Sequence, residues 1–396
     1  MEAVIVGAAR SPIGRAFKGS LIGTRPDDIT TQIARAVLDG VPGFEPSDLD
    51  EIILGTSGGG AEQSGNLARA VAVALGLDGV PAHTVNRYCA SSVQSTRAAF
   101  HAIKAGEGHA YLSLGVEMVS RVAHERLDEV AMRGPFFERR AENAPGWTDP
   151  RDRGLMPDLH VEMGVTAENV ADIRGVSRRE MDEFALRSQT LVAERDREGF
   201  WATDITPVVT PDGRTVSRDD SPRPTTTLDG LAALEPRFRE GGSVTAGNSC
   251  PLNDGAAGVL VMSEERAKQL DLVPLARIVA TGASALSPEI MGLGPVEASR
   301  RALAHAGMTI ADIDQVEINE AFAAQVIPSY RELGADLDRV NVNGGAIALG
   351  HPYGMTGARI TTTLLNSLRW HDQQFGLETM CVAGGQGMAI IFERLS

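Results

Sequence analysis

An internal repeat constrains the fold of this chain more than any other feature of its sequence. Residues 47–54, Ser-Asp-Leu-Asp-Glu-Ile-Ile-Leu, reappear as residues 311–318, Ala-Asp-Ile-Asp-Gln-Val-Glu-Ile. In the helical segment before each copy, Arg35 matches Arg300, one position out of register. A shared helix–turn–strand unit indicates a duplicated α/β domain, although a similarity over eight residues also arises by chance.

The first copy of the repeat lies in a region where strands alternate with helices. Residues 3–7 and 51–55 are apolar runs typical of buried strands, and residues 29–38 and 64–76 have helical spacing of apolar side chains. This alternation predicts an α/β layer structure with a largely parallel sheet. Gly58–Gly60 matches neither the dinucleotide-binding nor the P-loop pattern, so we interpret it as a tight connection.

The middle of the chain differs from the first part in composition and in the periodicity of its apolar residues. Residues 121–160 show little periodicity, residues 166–199 resemble two charge-rich helices, and residues 207–242 are rich in Pro, Thr, Asp and Gly. We interpret this block as an insertion that covers one face of the core. The predicted division is an N-terminal core half at 1–119, completed by about 250–270, an insertion at 120–249 and a C-terminal core half at 271–396.

Size, charge and cysteine content exclude several classes of protein. A chain of 396 residues is expected to form two or three domains. A net charge of −15 argues against a nucleic-acid partner. An anionic ligand would need a local basic surface, and several arginines of the insertion could supply one, although most such side chains are simply solvated: Arg214, Arg218, Arg223, Arg237 and Arg239.

The sequence offers no sign of a membrane span, a metal site or a disulfide framework. No apolar run reaches 18 residues, and the first residues lack the features of a signal peptide. The three cysteines at 89, 250 and 381 are far apart and have no metal-ligand spacing. We therefore expect a cytoplasmic protein with free thiols.

Cys89 lies between a short β-like segment and a predicted helix. Val93, Phe100 and Ile103 form an apolar face at helical spacing, and Gly106 ends the segment. A thiol near a helix N-terminus is favoured as a thiolate. A small buried cysteine fits the same stretch equally well, so this segment alone leaves both interpretations open.

The repeat suggests a partner for Cys89. The offset between the two copies carries Cys89 to Tyr353, two residues from His351. If two related halves pack with pseudo-two-fold symmetry, corresponding loops would bring Cys89 and His351 to one site. This is a geometric hypothesis.

Four segments have the small and polar residues of a site: 86–92 around Cys89, 319–322, 341–359 around His351, and 381–387. Glycines allow close backbone approach and leave N–H groups free to stabilise an oxyanion. Taken singly, each segment also fits a turn, a cap or a sheet closure. Together, two thiols, an imidazole and an amide suit acyl transfer through a thioester.

In motifs spread over essentially its whole length, the chain resembles the thiolase family of acetyl-CoA acyltransferases. The motifs that carry the resemblance are Val85–Ser92, Met163–Ala171, Val244–Asn248, Asn253–Ala257, Asn319–Ala323, Gly344–Arg359 and the segment that begins at Cys381. The resemblance implies a duplicated βαβαβαββ core in five layers, α-β-α-β-α, with an inserted loop domain. It also implies an enzyme that uses coenzyme A and acyl-CoA as substrates and has no permanently bound cofactor.

The resemblance also implies roles for individual residues. Cys89 matches the nucleophile that becomes acylated, and His351 matches the histidine that activates it. Asn319 matches an asparagine that holds a catalytic water, and Cys381 matches the second acid and base. The resemblance further implies one oxyanion hole lined by His351 and a second one formed by the backbone N–H groups of Cys89 and Ala383, beside Gly384. The positions implied for contacts with CoA or the acyl group are Arg223, Ser249, Cys250, Met163 and Phe322.

Four positions depart from the family pattern. Ala383 stands where glycine is usual, Cys250 where a small serine is frequent, and Tyr353 where an aliphatic residue is usual. Glu162 replaces the histidine typical of acetoacetyl-specific members, which favours degradative cleavage of 3-ketoacyl-CoA, as in fatty acid β-oxidation. Members of the family are typically homodimers or homotetramers, and we expect the same here.

Alternatives remain at this stage. A biosynthetic acetoacetyl-CoA thiolase would use the same residues. A non-catalytic acyl-CoA-binding or lipid-binding protein on this scaffold is disfavoured because all four site residues are present. Ketoacyl-ACP synthases share the superfold but generally pair the nucleophile with two histidines or with His and Asn, whereas Asn319 and Cys381 are thiolase features. A papain-like hydrolase does not suit the duplicated pattern.

Overall fold

The computed structural model describes residues 1–122 and 146–396. Within them, ten strands form one sheet in the order β10-β11-β12-β9-β1-β8-β5-β3-β4, with β2 paired to β8, and β6 and β7 form a separate hairpin. The strands are β1 Ala3–Arg10, β2 Gly14–Arg15, β3 Glu51–Gly55, β4 Ala82–Val85, β5 Ala110–Met118, β6 Val208–Val209, β7 Thr215–Val216, β8 Asn253–Ser263, β9 Ala276–Ala285, β10 Gln315–Ile318, β11 Phe375–Val382 and β12 Gln386–Arg394.

The helices of the described residues follow the strands in alternation in both halves of the core. They are α1 Pro26–Asp39, α2 Leu67–Ala74, α3 Ser91–Ala105, α4 Val119–Val122, α5 Met163–Arg174, α6 Arg178–Glu198, α7 Phe200–Asp204, α8 Leu228–Ala232, α9 Glu264–Gln269, α10 Gly294–Ala306, α11 Ala323–Leu333, α12 Ala346–Leu349 and α13 Thr356–Trp370. Local signals set their ends: a capping box of Ser177 and Glu180 begins α6, and Gly106, at φ 80°, ends α3.

The two halves of the sheet have the same strand order, which is the structural form of the sequence repeat. In the first half, β3 pairs in parallel with β4 and β5, and β8 pairs antiparallel with β5 and β1. In the second half, β10 pairs in parallel with β11, and β12 pairs antiparallel with β11 and β9. A parallel bridge between Val340 and Val316 stands where the first half has β4. Short pairing between β1 and β9 joins the halves.

Three hydrophobic clusters show how the helices cover this sheet. One cluster packs α1 and α2 on the first half, and a second packs α10 and α11 on the second half. Between them, α3 and α13 pack against strands of both halves. The order is therefore outer helices, half-sheet, two central helices, half-sheet, outer helices.

The sequence predicted most helices and strands of the core but not the relative directions of the strands in the sheet. The strand at 51–55 is as predicted, the first helix extends to Pro26–Asp39, and the predicted helix at 64–76 is confined to Leu67–Ala74. The expectation of a largely parallel sheet is wrong, because only three of the strand pairs are parallel. The reason is that β12 returns directly from β11 through a tight turn, and β8 enters from the insertion.

The inserted block packs on the second half of the core. Helix α6 contacts α11 and α12, and α5 contacts α11. The predicted irregular stretch at 121–160 lies partly outside the described residues, since 123–145 are not among them. The domain bounds given above remain a prediction. None of the helices that the structure describes is long and apolar enough to cross a membrane.

Candidate active site

Cys89 lies in a tight turn between β4 and α3. The Arg87 N–H donates to Ser91 Oγ over 2.9 Å, and the Ser91 hydroxyl donates to the Tyr88 carbonyl over 2.6 Å. Helix α3 begins at Ser91, with Ala90 at the N-cap position. Cys89 therefore lies just before the helix N-terminus, where the sequence places it.

The prediction that this position makes Cys89 a thiolate near neutral pH is wrong. Burial raises the pKa of the Cys89 thiol to about 12, and the Glu117 carboxylate adds to this effect. A hydrogen bond from the Ala383 backbone N–H acts in the opposite direction but does not offset burial. With its pKa raised in this way, the thiol is protonated near neutral pH.

The three cysteines, far apart in sequence, converge at one site. Burial raises the pKa of Cys381 well above its ordinary value, and ionisation of Cys89 or Cys250 would raise it further. The pKa of Cys250 is also raised by burial and by Cys89. Each thiol is thus close enough to the others to disfavour their ionisation. All three are free of disulfides.

His351 is buried and held by three contacts. Its backbone N–H donates to Asn253 Oδ1 over 3.0 Å, its Nδ1 lies 2.7 Å from Thr356 Oγ1, and its Nε2 lies 3.3 Å from Asn319 Nδ2. Burial lowers the pKa of the imidazole to about 3, and the Arg359 guanidinium also lowers it. The ring is therefore neutral at physiological pH.

Tyr353 packs against His351. Its ring meets the His351 ring edge-on, with 5.2 Å between centroids and an interplanar angle of 85°. Burial raises the pKa of the Tyr353 hydroxyl, and ionisation of the nearby Cys250 or Cys89 would raise it further. The structure thus brings Cys89 and His351 to one region from corresponding loops of the two halves, each just before a central helix.

Asn319 and the turn after Cys381 complete this region. Asn319 directly follows β10, and its Oδ1 is buried without a hydrogen-bond partner in the described chain. Ala383 and Gly384 lie in the turn between β11 and β12, where Gly384 adopts φ 75°. A Cβ on Gly384 would lie 3.5 Å from the Tyr88 ring, so this turn packs beside the Cys89 loop.

A groove is lined by Ser249 and Pro251, the two residues that flank Cys250. Exposed Arg223 and buried Ser249 both line it. The backbone of the next residue, Cys250, donates to the Ala321 carbonyl over 3.0 Å. The full lining is Arg15, Gln189, Ser221, Arg223, Thr226, Leu231, Ala246, Gly247, Ser249, Pro251 and Ile347.

Buried Phe322 belongs to the hydrophobic cluster that contains Cys381, and half-buried Met163 packs against that cluster. Phe322 meets the Phe238 ring edge-on, with 6.1 Å between centroids. Neither side chain lines the groove, so the structure separates these two predicted contact residues from Arg223 and Ser249. Of the arginines expected to form a basic surface, Arg214 and Arg239 are held in ion pairs with aspartates.

Sequence reasoning missed Glu117, a buried carboxylate on β5. It accepts hydrogen bonds from the backbone N–H groups of Ser57, Gly58 and Gly354, and from Gln63 Nε2. It therefore ties the predicted tight connection at Gly58 to the loop that carries His351. No sequence motif marked it, because it lies inside an otherwise apolar strand.

Nothing in the described part of the chain is arranged as a metal site: no three His, Cys, Asp or Glu side chains among these residues are grouped to hold an ion. The chemistry available at the site is that of three thiols whose pKa values are raised, a neutral imidazole, an amide and backbone N–H groups. Such a set can form a thioester on one sulfur and move protons on the other groups.

A duplicated α/β core with a cysteine and a histidine on corresponding loops defines a class of enzyme that transfers acyl groups through a cysteine. Residues 3–265 match the family model of the thiolase N-terminal domain, and residues 272–394 match that of the thiolase C-terminal domain. The chain belongs to the thiolase family and is an acyltransferase. Its fold is the thiolase-like duplicated α/β fold that the sequence predicted.

Individual relatives cover the full chain. It is 42% identical to a 3-ketoacyl-CoA thiolase of Bacillus subtilis, with 99% of each chain covered. It is 40% identical to a beta-ketoadipyl-CoA thiolase of Escherichia coli, with 100% of each covered. The crystal structure of an acetyl-CoA acetyltransferase of Bacillus anthracis superposes with a TM-score of 0.88 at 38% identity, covering 100% of this chain and 99% of that one.

Proposed function

We propose that this chain is an acetyl-CoA C-acyltransferase that cleaves 3-ketoacyl-CoA with coenzyme A through an acyl-Cys89 intermediate. The observation that carries the proposal is the convergence of Cys89, Cys381 and the Ala383 N–H beside a neutral His351. Each of these groups has a task in the two half-reactions of such a cleavage.

In the first half-reaction, Cys89 Sγ attacks the 3-keto carbon and its proton passes to His351 Nε2. The bond between C2 and C3 then breaks, and its electron pair forms the enolate of acetyl-CoA. Cys381 gives its proton to C2 of this enolate. Since burial keeps the Cys381 thiol protonated, it is available as an acid at neutral pH.

In the second half-reaction, the thiol of free CoA attacks the carbonyl of the acyl-Cys89 thioester. Its proton passes to the Cys381 thiolate, which restores the thiol. Cys89 leaves as a thiolate and recovers its proton from His351. The Ala383 N–H, which already donates to Cys89 Sγ, stabilises the oxyanion on the acyl carbonyl.

The groove that ends near Cys250 suits the pantetheine arm of CoA. Exposed Arg223 stands at this groove with no ion-pair partner among the described residues, and Ser249 lines it further along. An arginine at the outer end favours the phosphates of the nucleotide. In this arrangement Met163 and Phe322 shape the acyl side of the site rather than the CoA side.

The acyl group is the open part of the proposal. The relatives include proteins named for 3-ketoacyl-CoA and for beta-ketoadipyl-CoA at nearly equal identity. Glu162 in place of a histidine favours degradative cleavage over synthesis of acetoacetyl-CoA. Initial cleavage rates across a ladder of 3-ketoacyl-CoA lengths, with 3-oxoadipyl-CoA included, would decide, and a sharp preference for the four-carbon substrate would contradict the degradative assignment. A cytoplasmic location and a homodimer or homotetramer remain predictions.

The intermediate is tested by mass spectrometry after mixing the protein with acetyl-CoA. We expect an acetyl adduct on the Cys89 peptide and none in Cys89→Ala, which also loses CoA-dependent cleavage. An unmodified wild-type peptide, or a Cys89→Ala variant that still cleaves 3-ketoacyl-CoA, would show that the mechanism is wrong.

The role of Cys381 is tested by separating acylation from turnover. Cys381→Ala should still be acetylated at Cys89 but should cleave 3-ketoacyl-CoA at least about 100-fold more slowly, because the enolate lacks its acid. Met380→Leu, a buried volume-conserving change on the adjacent strand position, serves as control and should be nearly unchanged. Equal loss in both variants would assign the effect to packing.

A further inference from the structure

Thr356 lies beside His351 and has no role in the two half-reactions proposed above. It is the first residue of α13 and is fully buried. Its Oγ1 lies 2.7 Å from His351 Nδ1 and 2.7 Å from the Pro352 carbonyl oxygen. Both contacts are short enough to be hydrogen bonds, and they share one hydroxyl.

The direction of these two bonds follows from the chemistry of the atoms. A carbonyl oxygen can only accept, so the single hydroxyl proton of Thr356 is given to Pro352. Thr356 Oγ1 can therefore only accept from the imidazole. His351 Nδ1 must then carry a proton, and since burial keeps the ring neutral, Nε2 carries none.

We infer that Thr356 is a positioning residue that fixes His351 in the Nδ1–H tautomer, so that Nε2, which Asn319 Nδ2 faces at 3.3 Å, carries the lone pair that can take a proton from Cys89. The tautomer follows from the hydrogen bonds alone, whereas the proton transfer rests on the proposed function. An imidazole with its proton on Nε2 would have no lone pair on that nitrogen and could not take the proton of Cys89 there.

Asn319 shows why the Thr356 hydroxyl determines the tautomer of His351. In the structure its Nδ2 faces His351 Nε2 at 3.3 Å, as suits a bare acceptor nitrogen, and its Oδ1 has no partner in the described chain. If Thr356 lost its hydroxyl, the amide could turn by 180° and accept a hydrogen bond from Nε2–H. The Nε2–H tautomer would then be favoured, because its N–H would have an acceptor in Asn319 Oδ1, whereas an N–H on Nδ1 would have lost its acceptor.

The first test measures the tautomer directly, without reference to activity. Long-range ¹H–¹⁵N NMR of histidine-labelled wild type should show a protonated Nδ1 and an unprotonated Nε2 for His351, assigned by loss of its signals in His351→Gln. In Thr356→Val the proton should move to Nε2, and in Thr356→Ser it should stay on Nδ1. A proton on Nε2 in the wild type would overturn the inference, whether or not any variant folds.

The second test follows the rate of acylation. Thr356→Val should acylate Cys89 about 100-fold more slowly with KM for acyl-CoA little changed, and Thr356→Ser should stay within about threefold of wild type. Thr362→Val is the matched control, since buried Thr362 donates to the Ala358 carbonyl over 2.9 Å on the same helix without contacting His351.

The outcomes separate this inference from the proposed function. Unchanged acylation in Thr356→Val, or an equal loss in Thr362→Val, would overturn the positioning role. A wild type that shows the Nδ1–H tautomer but never forms an acyl adduct would contradict the proposed function and support the tautomer assignment.

Discussion

At the scale of single residues, the raised pKa of Cys89 and the lowered pKa of His351 leave both groups uncharged before substrate binds. Burial raises the pKa of the thiol to about 12 and lowers the pKa of the imidazole to about 3, so neither group is charged over the physiological range. A preformed thiolate–imidazolium pair is therefore disfavoured. The proton must leave Cys89 as the new carbon–sulfur bond forms, when bound substrate supplies the interactions that burial removed.

This charge state predicts how Cys89 reacts with an alkylating agent in the free enzyme. Because a thiol with a raised pKa stays protonated until high pH, alkylation by iodoacetamide should quicken about tenfold per pH unit from about pH 6 to 9. The measurement is the extent of Cys89 modification by mass spectrometry after brief exposure. N-acetylcysteine, which begins to level off near its ordinary pKa, is the control. A plateau below about pH 8 would indicate a thiolate–imidazolium pair instead.

Sequence reasoning selected these two residues as candidates but did not predict their environment. The repeat linked Cys89 to the neighbourhood of His351 because a duplicated topology places corresponding loops together. The sign of the Cys89 pKa shift was wrong, because the influence of a helix terminus can be inferred from the chain whereas depth of burial depends on the whole packed site. The role of Thr356 was not predicted for a similar reason, since its hydrogen bonds to His351 and Pro352 depend on the folded geometry of the site.

At the scale of elements, the crossing of α3 and α13 sets the distance between the loops that carry Cys89 and His351. Gly357, in the first turn of α13, lies against Val93 and Ser92 of α3, and the Ala358 N–H donates to Ser92 Oγ over 2.9 Å. Cys89 precedes one helix and His351 precedes the other. The close approach at Gly357 thus fixes both loops at once.

Substituting Gly357 should therefore impair both stability and catalysis. A Cβ at this position would lie 2.5 Å from Val93 Cγ2 and 2.5 Å from the Val93 backbone nitrogen, so α13 must shift away from α3. We expect Gly357→Ala to lower the free energy of unfolding by about 1–3 kcal/mol. Acylation of Cys89 should fall by about 100-fold, since small displacements of reacting groups are costly.

Urea unfolding and acylation rates check this prediction. Gly79→Ala is the matched control, because a Cβ there meets nothing within 4 Å, and its stability should change by less than about 0.5 kcal/mol. If Gly357→Ala were as stable and as active as Gly79→Ala, the crossing would not be what positions the loops.

At the scale of the whole molecule, one buried arginine fastens the inserted block to the core. Arg10 of β1 is fully buried, and its guanidinium pairs with Asp204 of α7 and, at 2.9 Å, with Asp219. These carboxylates raise the pKa of Arg10 despite its burial. The chain then runs from Asp219 to Arg223 at the groove. Composition indicated an insertion, but not the ion pairs that anchor it, because their partners are about 200 residues apart.

Arg10→Met should therefore destabilise the protein and weaken CoA binding together. It leaves two buried carboxylates without their partner, which we expect to cost about 3–5 kcal/mol in urea unfolding. The segment that leads to Arg223 should become less well ordered, and KM for CoA should rise as a result.

Arg25→Met removes an exposed arginine that also contacts two acids, and should cost less than about 1 kcal/mol. The combination of Arg10→Met with Asp204→Asn and Asp219→Asn should recover much of the stability, since no buried charge is then unpaired. Equal destabilisation by Arg10→Met and Arg25→Met would show that the buried pair does not anchor the insertion.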